Sequence, residues 1–174
     1  MNFPAQSALS VIVLVFMASA GSAFSPRALA GPTPEEYVSK VGNGARIIAA
    51  SRLRIDGIRL SCGRRPTVLD DTLDDYGAAY PGFLILNPKL LGRVSTPVKL
   101  WIYAHECAHQ FRGPDEETAD CFAVQRGRRQ GWLSPGGVDE ICNFIKSAKG
   151  DWMHVSGPNR CRVMKKCYFD RAIH

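Results

Sequence analysis

Apolar residues recur at helical spacing through the middle of the chain, from Val98 to Phe111, where there is no glycine or proline. Thr96 is suited to cap a helix, and Pro97 is favoured in a first helical turn. Phe111 is expected to close the helix against the core. Four apolar residues of this segment would share one face: Leu100, Trp101, Ala104 and Ala108. The pattern therefore predicts a helix with one buried face.

The remaining helices are predicted from their caps and their apolar spacing. Thr33 and Glu36 have the spacing of a capping box, and they predict a helix that is interrupted at residues 42–44. A second helical stretch is expected from 45 to about 55. Ser134 is suited to cap a helix that runs to about Ala148, and a last helix is expected from 158 to 169.

Short apolar runs bounded by turn residues predict a small sheet. The clearest is Gly82–Asn87, which ends at Pro88, and weaker candidates cover residues 58–62 and 67–69. We see no internal repeat and no linker between domains. The expected fold class is α+β, mostly helical, with a small antiparallel or mixed sheet.

The amino-terminal segment is typical of a secretory signal peptide. An uncharged, largely apolar run from Ala8 to Ala20 is too short to span a membrane. Small residues follow it, and cleavage is expected after Ala23 or after Ala30. We therefore predict a signal peptide within residues 1–30 and a single secreted or periplasmic domain over residues 31–174, without a stable membrane anchor.

The cysteines support this localisation. There are six of them, all after residue 30, and an even number in an exported chain predicts disulfide bonds. The pairing is left open at this stage. Cys107 and Cys121 lie beside the candidate site described below, and disulfides there would brace it. Since no C-x-x-C pair is present, a zinc site made of cysteines is not expected.

The chain is basic, with a formal net charge of +6. Its positive residues gather at 126–129 and at 160–166, and both clusters are interpreted as solvated helix faces. No aromatic residues are interleaved with them as base-stacking surfaces require, so nucleic acid is not an expected partner.

The stretch His105-Glu106-Cys107-Ala108-His109 carries the most specific chemistry. Because the two histidines are four residues apart on a helix, their imidazoles lie on one side and can bind one metal ion. Glu106 is offset from the two histidines, so it is a candidate general base and not a ligand.

A catalytic zinc site needs a third protein ligand. The break at Gly113 and Pro114 allows a second helix, with Pro114 expected in its first turn, and we predict Glu116 as that ligand. Asp115 is the rival, by analogy with zincins whose third ligand follows the second histidine by six residues. Asp120, one turn after Glu116, is predicted to accept a hydrogen bond from His105.

Three sequence pieces together resemble the gluzincin metallopeptidases of the HtpX and CAAX prenyl endopeptidase group. Their pattern is H-E-x-x-H, E-x-x-A-D and a distal H-P-x-x-x-x-R. Here the pieces begin at His105, Glu116 and His154, and the third ends at Arg160. The chain departs from the pattern in the short gap between the first two pieces, in Val155 replacing the distal proline, and in lacking the family's transmembrane helices.

The resemblance implies a zincin-like fold, one Zn²⁺ per chain, and hydrolysis of a peptide or protein substrate. His154 would then stabilise an oxyanion or occupy the open metal position as a latch. In zincins an extended peptide can add to a sheet edge beside the metal helix, and segment 82–87 is the expected edge.

Two other functions stay open at this stage. One is a non-catalytic, disulfide-rich, zinc-containing domain that binds or inhibits a partner in the cell envelope, in which a protein side chain such as His154 fills the fourth metal position. The other is hydrolysis of a non-protein amide in the cell envelope.

Overall fold

A computed structural model describes residues 31–42, 44–149 and 155–170 of the chain. Within these residues there are six helices and six short strands, so the predicted α+β class is confirmed. The helices are α1 Pro34–Val41, α2 Pro88–Leu91, α3 Thr96–Arg112, α4 Glu116–Arg129, α5 Pro135–Ile145 and α6 Gly157–Phe169. The strands are β1 Ala45–Ile48, β2 Arg54–Ile55, β3 Ile58–Arg59, β4 Thr67–Asp70, β5 Gly77–Tyr80 and β6 Phe83–Leu86.

Four of the strands form a mixed sheet in the order β1-β4-β6-β5. Strands β4 and β6 are parallel, whereas β1 pairs antiparallel with β4 and β5 pairs antiparallel with β6. All four residues of β6 are fully buried, as the continuous apolar run 82–87 suggests. The expectation that this run forms the sheet edge is wrong, because β6 has a partner on each side. The edge strands are β1 and β5, and β5 is the one that contacts α3.

The helical stretch expected over residues 45–55 is also wrong. Residues 45–48 form β1, where the β-branched Ile47 and Ile48 favour an extended backbone and pair with β4. Ser51 then has a φ of 60°, which breaks any regular element, and β2 begins at Arg54. The strand expected over 58–62 is shorter than predicted, because β3 ends at Arg59.

Helix α3 is the centre of the molecule. Its predicted apolar face is confirmed, since Leu100, Trp101, Ala104 and Ala108 are all buried. The cap is shifted by one residue: Ser95 is the N-cap, and Thr96 is the first helical residue. Phe111 does not pack into the core as expected, because 52% of it is exposed and its ring lies beneath the Arg65 guanidinium.

Three disulfides hold the helices around α3, as the even cysteine count predicts. They join Cys62 to Cys107, Cys121 to Cys167, and Cys142 to Cys161. The first connects α3 to the segment before β4, and the other two connect α6 to α4 and to α5. No described cysteine is free, so all six take part in these three bonds.

The disulfides indicate that the chain folds in an oxidising, extracellular environment. None of the helices in the described residues is long and apolar enough to cross a membrane. The predicted signal peptide lies outside those residues.

Candidate metal centre

Helix α3 presents its two histidines toward one point, as the spacing of four residues requires. The Nε2 atoms of His105 and His109 are 3.0 Å apart. The Nδ1 of His109 lies 2.8 Å from the carbonyl oxygen of Gly113, and because a carbonyl can only accept, Nδ1 is the donor. In the neutral imidazole this bond places the proton on Nδ1, which leaves the Nε2 lone pair of His109 for a metal ion.

A turn at Gly113 brings the third side chain to the histidines. Gly113 has a φ of 83°, a left-handed conformation that glycine adopts without strain, and it ends α3. Helix α4 then starts at Glu116, so Pro114 precedes the helix and is not in its first turn as expected. The Asp115 carboxylate caps α4 by accepting a hydrogen bond from the Thr118 backbone N–H at 2.7 Å.

His105, His109 and Glu116 together form a group that could hold a metal ion. Glu116 Oε2 is 3.3 Å from His105 Nε2, and Glu116 Oε1 is 3.4 Å from His109 Nε2. Ligand atoms bound tetrahedrally at about 2.0–2.2 Å from zinc lie about 3.3–3.6 Å from one another. Both carboxylate–imidazole distances fall in this range, and the two imidazole nitrogens, 3.0 Å apart, are slightly closer than it. The donor atoms thus have the type, and nearly the spacing, that suits a single small divalent cation. Asp115 is not part of this group.

Asp120 makes the predicted hydrogen bond to His105. It is fully buried, and its Oδ1 accepts a hydrogen bond from His105 Nδ1 at 2.9 Å. This bond leaves the opposite nitrogen, Nε2, facing Glu116 and His109.

Arg160 is a site residue that the sequence interpretation missed. Its position in the basic cluster 160–166 suggests a solvated helix face, although it is also the last residue of the third motif that resembles the gluzincins. In the structure it donates to both oxygens of Asp120, at 2.7 and 2.8 Å, and its Nη1 lies 3.4 Å from Glu116 Oε2. A buried acid requires such a partner, but the burial of Asp120 is evident only in the structure, so the sequence offered no signal beyond the last residue of the third motif.

The basic residues 126–129 are likewise not a purely solvated face. Arg126 donates to the carbonyl of Ser61 and to Cys107 Sγ, and Arg128 donates to the carbonyl of Tyr168. Two of these arginines therefore join α4 to neighbouring segments.

The carboxylates and imidazoles of the group shift one another's pKa values. Burial by itself lowers the pKa of His105, but the Asp120 and Glu116 carboxylates outweigh it and raise that pKa to about 9. Glu116 also raises the pKa of His109. Although burial opposes ionisation of Glu116, its bonds to both histidines hold its pKa well below the ordinary value. A metal ion would displace the histidine protons and take over the attraction of this carboxylate.

Glu106 lies beside the group at the bottom of a groove. Burial raises the pKa of its carboxyl group. A methyl group at Gly77 would lie 3.1 Å from Glu106 Cγ and 3.0 Å from Ile102 Cγ2. Because position 77 has no side chain, β5 can lie directly against this part of α3.

Gln110 holds β5 and the following turn in place. Its side-chain amide donates to the carbonyls of Tyr80 and Phe83, at 2.7 and 3.1 Å. Its Oε1 accepts from the Gly82 backbone N–H and from Arg65 Nε. Gln110 directly follows His109 on α3, so these four hydrogen bonds hold the edge of the sheet firmly against the helix that carries the two histidines.

Two cavities meet at the candidate site. One has a volume of about 530 Å³ and the other of about 1100 Å³. Glu106, His109 and Glu116 line both, and β5 contributes residues to both. The site thus lies midway along a groove between the edge strand and the helices α3 and α4.

Comparison of the chain with family models, curated proteins and solved structures gives no match. The interpretation of the site therefore rests on its own geometry and on the sequence pieces quoted above. Of the predicted site residues, the structure brings together Glu106, His105, His109, Glu116 and Asp120. His154 lies outside the described residues.

We expect Asp120→Asn to weaken the binding of divalent metal ions by about 10- to 100-fold, the usual cost of losing a hydrogen-bond partner of a metal ligand. The amide keeps the shape of the side chain but removes the charge that His105 and Arg160 share. Zinc affinity is measured by competition with a chromogenic chelator, and thermal unfolding verifies the fold. Asp139→Asn, at an exposed ion pair with Lys165, is the matched control. Equal affinities in the two variants would contradict a supporting role for Asp120.

Proposed function

We propose that this chain is an exported zinc metallopeptidase, with a zincin-like arrangement of the metal helix and an adjoining sheet. The observation that carries the proposal is the position of His105, His109 and Glu116. Their donor atoms all lie within 4.8 Å of one another, and the group lines a groove next to an edge strand.

The donor set favours zinc over other common ions. Two imidazoles and one carboxylate match the ligands of catalytic zinc sites, whereas calcium and magnesium take oxygen ligands. Among the described residues the group has three members, the number that a catalytic site uses. When bound there, zinc would polarise the scissile carbonyl and lower the pKa of water toward about 7.

Glu106 is the proposed general base. It accepts a proton from the attacking water and then passes it to the nitrogen of the leaving amine. The raised pKa of Glu106 suits both transfers, since a carboxyl group that holds its proton more firmly is a better base. His105, His109 and Glu116 remain ligands throughout, and Asp120 with Arg160 keeps His105 oriented.

An extended peptide is the substrate that the groove fits best. Among the described residues β5 pairs only with β6, so its other edge offers backbone N–H and carbonyl groups to which a peptide can add as a further strand. Residues of β5 border both cavities, so a peptide bound along this edge would pass over the metal group. This role belongs to Gly77–Tyr80 and not to the segment 82–87 that was first expected to fill it.

We expect the zinc-loaded, oxidised protein to cleave unstructured polypeptides, such as carboxymethylated casein. Removal of zinc with 1,10-phenanthroline should abolish cleavage, because the ligands alone cannot polarise a carbonyl, and added zinc should restore it. Products are identified by mass spectrometry, so that the cleaved bonds are known. The protein incubated with the non-chelating 1,7-phenanthroline isomer is the control.

Stoichiometric zinc without cleavage of any polypeptide would contradict the peptidase proposal. The non-catalytic zinc domain would then explain the site, and zinc would serve stability alone. Cleavage that persists in the chelator would instead identify a contaminating protease of another class.

A further inference from the structure

We propose that the smaller cavity receives a large apolar side chain of the substrate, at one of the two residues that the scissile bond joins. This inference rests on the proposed peptidase function. The part of the cavity concerned is called the aromatic cavity here, and it is bounded by Tyr76, Trp101, Ile102, Phe144 and Ile145.

The aromatic cavity lies directly against the metal group. Its lining continues into His105 and Glu106, with no intervening wall. The whole cavity, of which the aromatic cavity is one part and the space beside the metal group another, has a volume of about 530 Å³. This volume falls within the range of about 300–1,000 Å³ that is typical of ligand pockets. The cavity is thus large enough for a bulky side chain and close enough to the reacting carbonyl to select it.

Helix α3 sets the distance between the cavity and the metal ligands. Trp101, His105 and His109 are spaced by four residues, so they form one row along the helix. The Trp101 and His105 rings have centroids 5.5 Å apart, about one helical turn. A peptide whose carbonyl lies at the histidines therefore has a neighbouring side chain next to Trp101.

The walls of the cavity come from three different segments and are held rigidly. Phe144 of α5 contacts Tyr76 edge to face, with centroids 5.0 Å apart, and approaches Trp101 at 6.4 Å. Cys142, two residues before Phe144, is joined to Cys161 of α6. Rigid aromatic walls favour an apolar side chain because they supply contact area without losing their own freedom.

The charges of the lining argue against a charged occupant. Glu116 and Arg160 already pair with each other and with the rest of the metal group. Two acidic lining residues lie outside the ligand group: Glu106, which is the proposed general base, and Asp75, which is exposed. An anionic side chain placed among the aromatic rings would lose its water without gaining a partner there. A cationic one would gain contact with the ring faces, but the Arg160 guanidinium already lies over the Trp101 ring, 5.4 Å from its centroid. Because the Asp75 carboxylate can attract a basic side chain of the substrate, lysine is the alternative occupant that the experiment includes.

The test uses the zinc-loaded protein and two series of quenched fluorescent peptides. One series varies the residue before the scissile bond and the other the residue after it, each with Ala, Leu, Phe and Lys. At one of the two positions, and not both, we expect kcat/KM for Phe to exceed that for Ala at least tenfold. The expectation follows because the cavity lies on one side of the metal group.

Two substitutions at Phe144 test whether the cavity causes the preference for Phe over Ala. Phe144→Ala removes a wall and should reduce the Phe-to-Ala ratio at least fivefold. Phe144→Trp narrows the cavity and should slow cleavage of the Phe peptide more than cleavage of the Ala peptide, so that the Phe-to-Ala ratio falls. Phe169→Ala, at a phenylalanine that is 60% exposed, is the matched control and should leave the ratio unchanged.

Equal kcat/KM values for all residues, a preference for Lys, or a ratio unmoved by both Phe144 variants would overturn the proposal while peptidase function stands. A separate binding measurement covers an enzyme that fails to cleave any peptide. By calorimetry, two pairs of hydroxamates are compared: acetyl-phenylalanine with acetyl-alanine hydroxamate, whose side chains precede the zinc-binding carbonyl, and a pair whose benzyl or methyl group follows it. In one of the two pairs the aromatic ligand should bind the zinc-loaded protein at least tenfold more tightly. Equal affinities within both pairs would reject the cavity independently of turnover.

Discussion

Glu106→Gln should retain stoichiometric zinc and lose peptidase activity, with kcat reduced by about 100- to 10,000-fold, the usual contribution of a general base. Glutamine has the size of glutamate but cannot accept a proton at neutral pH. The variant therefore leaves the packing of α3 against Gly77 intact and removes the proton transfer alone.

The measurement combines metal content with kinetics on one peptide substrate. Zinc per chain should be the same in the variant and the parent protein, because Glu106 lies outside the ligand group. We expect KM to change little, since the lost interaction belongs to the transition state. Glu140→Gln, at an exposed position on α5, controls for the change of charge.

Turnover retained in Glu106→Gln would exclude Glu106 as the general base. Loss of zinc together with loss of activity would show that Glu106 acts on the metal site itself. Only the combination of bound zinc and absent turnover agrees with the proposed role.

Features that depend on local spacing could be predicted from the sequence. The histidine pair needs only a helix, and the apolar face of α3 and the caps at Thr33 and Ser134 are set by residues within one turn. Helix α6 begins one residue before its predicted start. The prediction of disulfides needed only the cysteine count and the expectation of export.

The sheet could not be predicted in the same way, because strand order depends on contacts far apart in the chain. The edge strand β5 reads Gly77-Ala78-Ala79-Tyr80, which has few β-branched or aromatic residues. Its extended form is stabilised by pairing with β6 and by the hydrogen bonds from Gln110. The most apolar run, residues 82–87, was therefore expected at the sheet edge that β5 in fact occupies.

The supporting residues of the site depend on tertiary structure too. Arg160 is 40 residues from Asp120, and α6 is held next to α4 by the bond between Cys121 and Cys167. From sequence, an arginine in a basic cluster resembles a solvated one. Its role becomes evident only when the buried Asp120 lies opposite it.

Glu116→Ala should weaken zinc binding more than 100-fold, beyond the cost of about 10- to 100-fold for a residue that only supports a ligand. The carboxylate contacts both histidines, at 3.3 and 3.4 Å, so its removal takes away a ligand and leaves two donors. Zinc should raise the melting temperature of the parent protein by mass action and have little effect on the variant.

Two neighbouring acids serve as controls for Glu116, because the sequence places three in a row. Glu117→Ala changes an exposed carboxylate on the same helical turn and should keep full zinc affinity. Asp115→Ala removes the helix cap and should lower stability by about 1 kcal/mol while zinc still binds. Loss of zinc in Asp115→Ala but not in Glu116→Ala would transfer the third-ligand role to Asp115. Full affinity in all three variants would mean that the ion is held elsewhere, because a site without Glu116 keeps too few of these donors for tight binding.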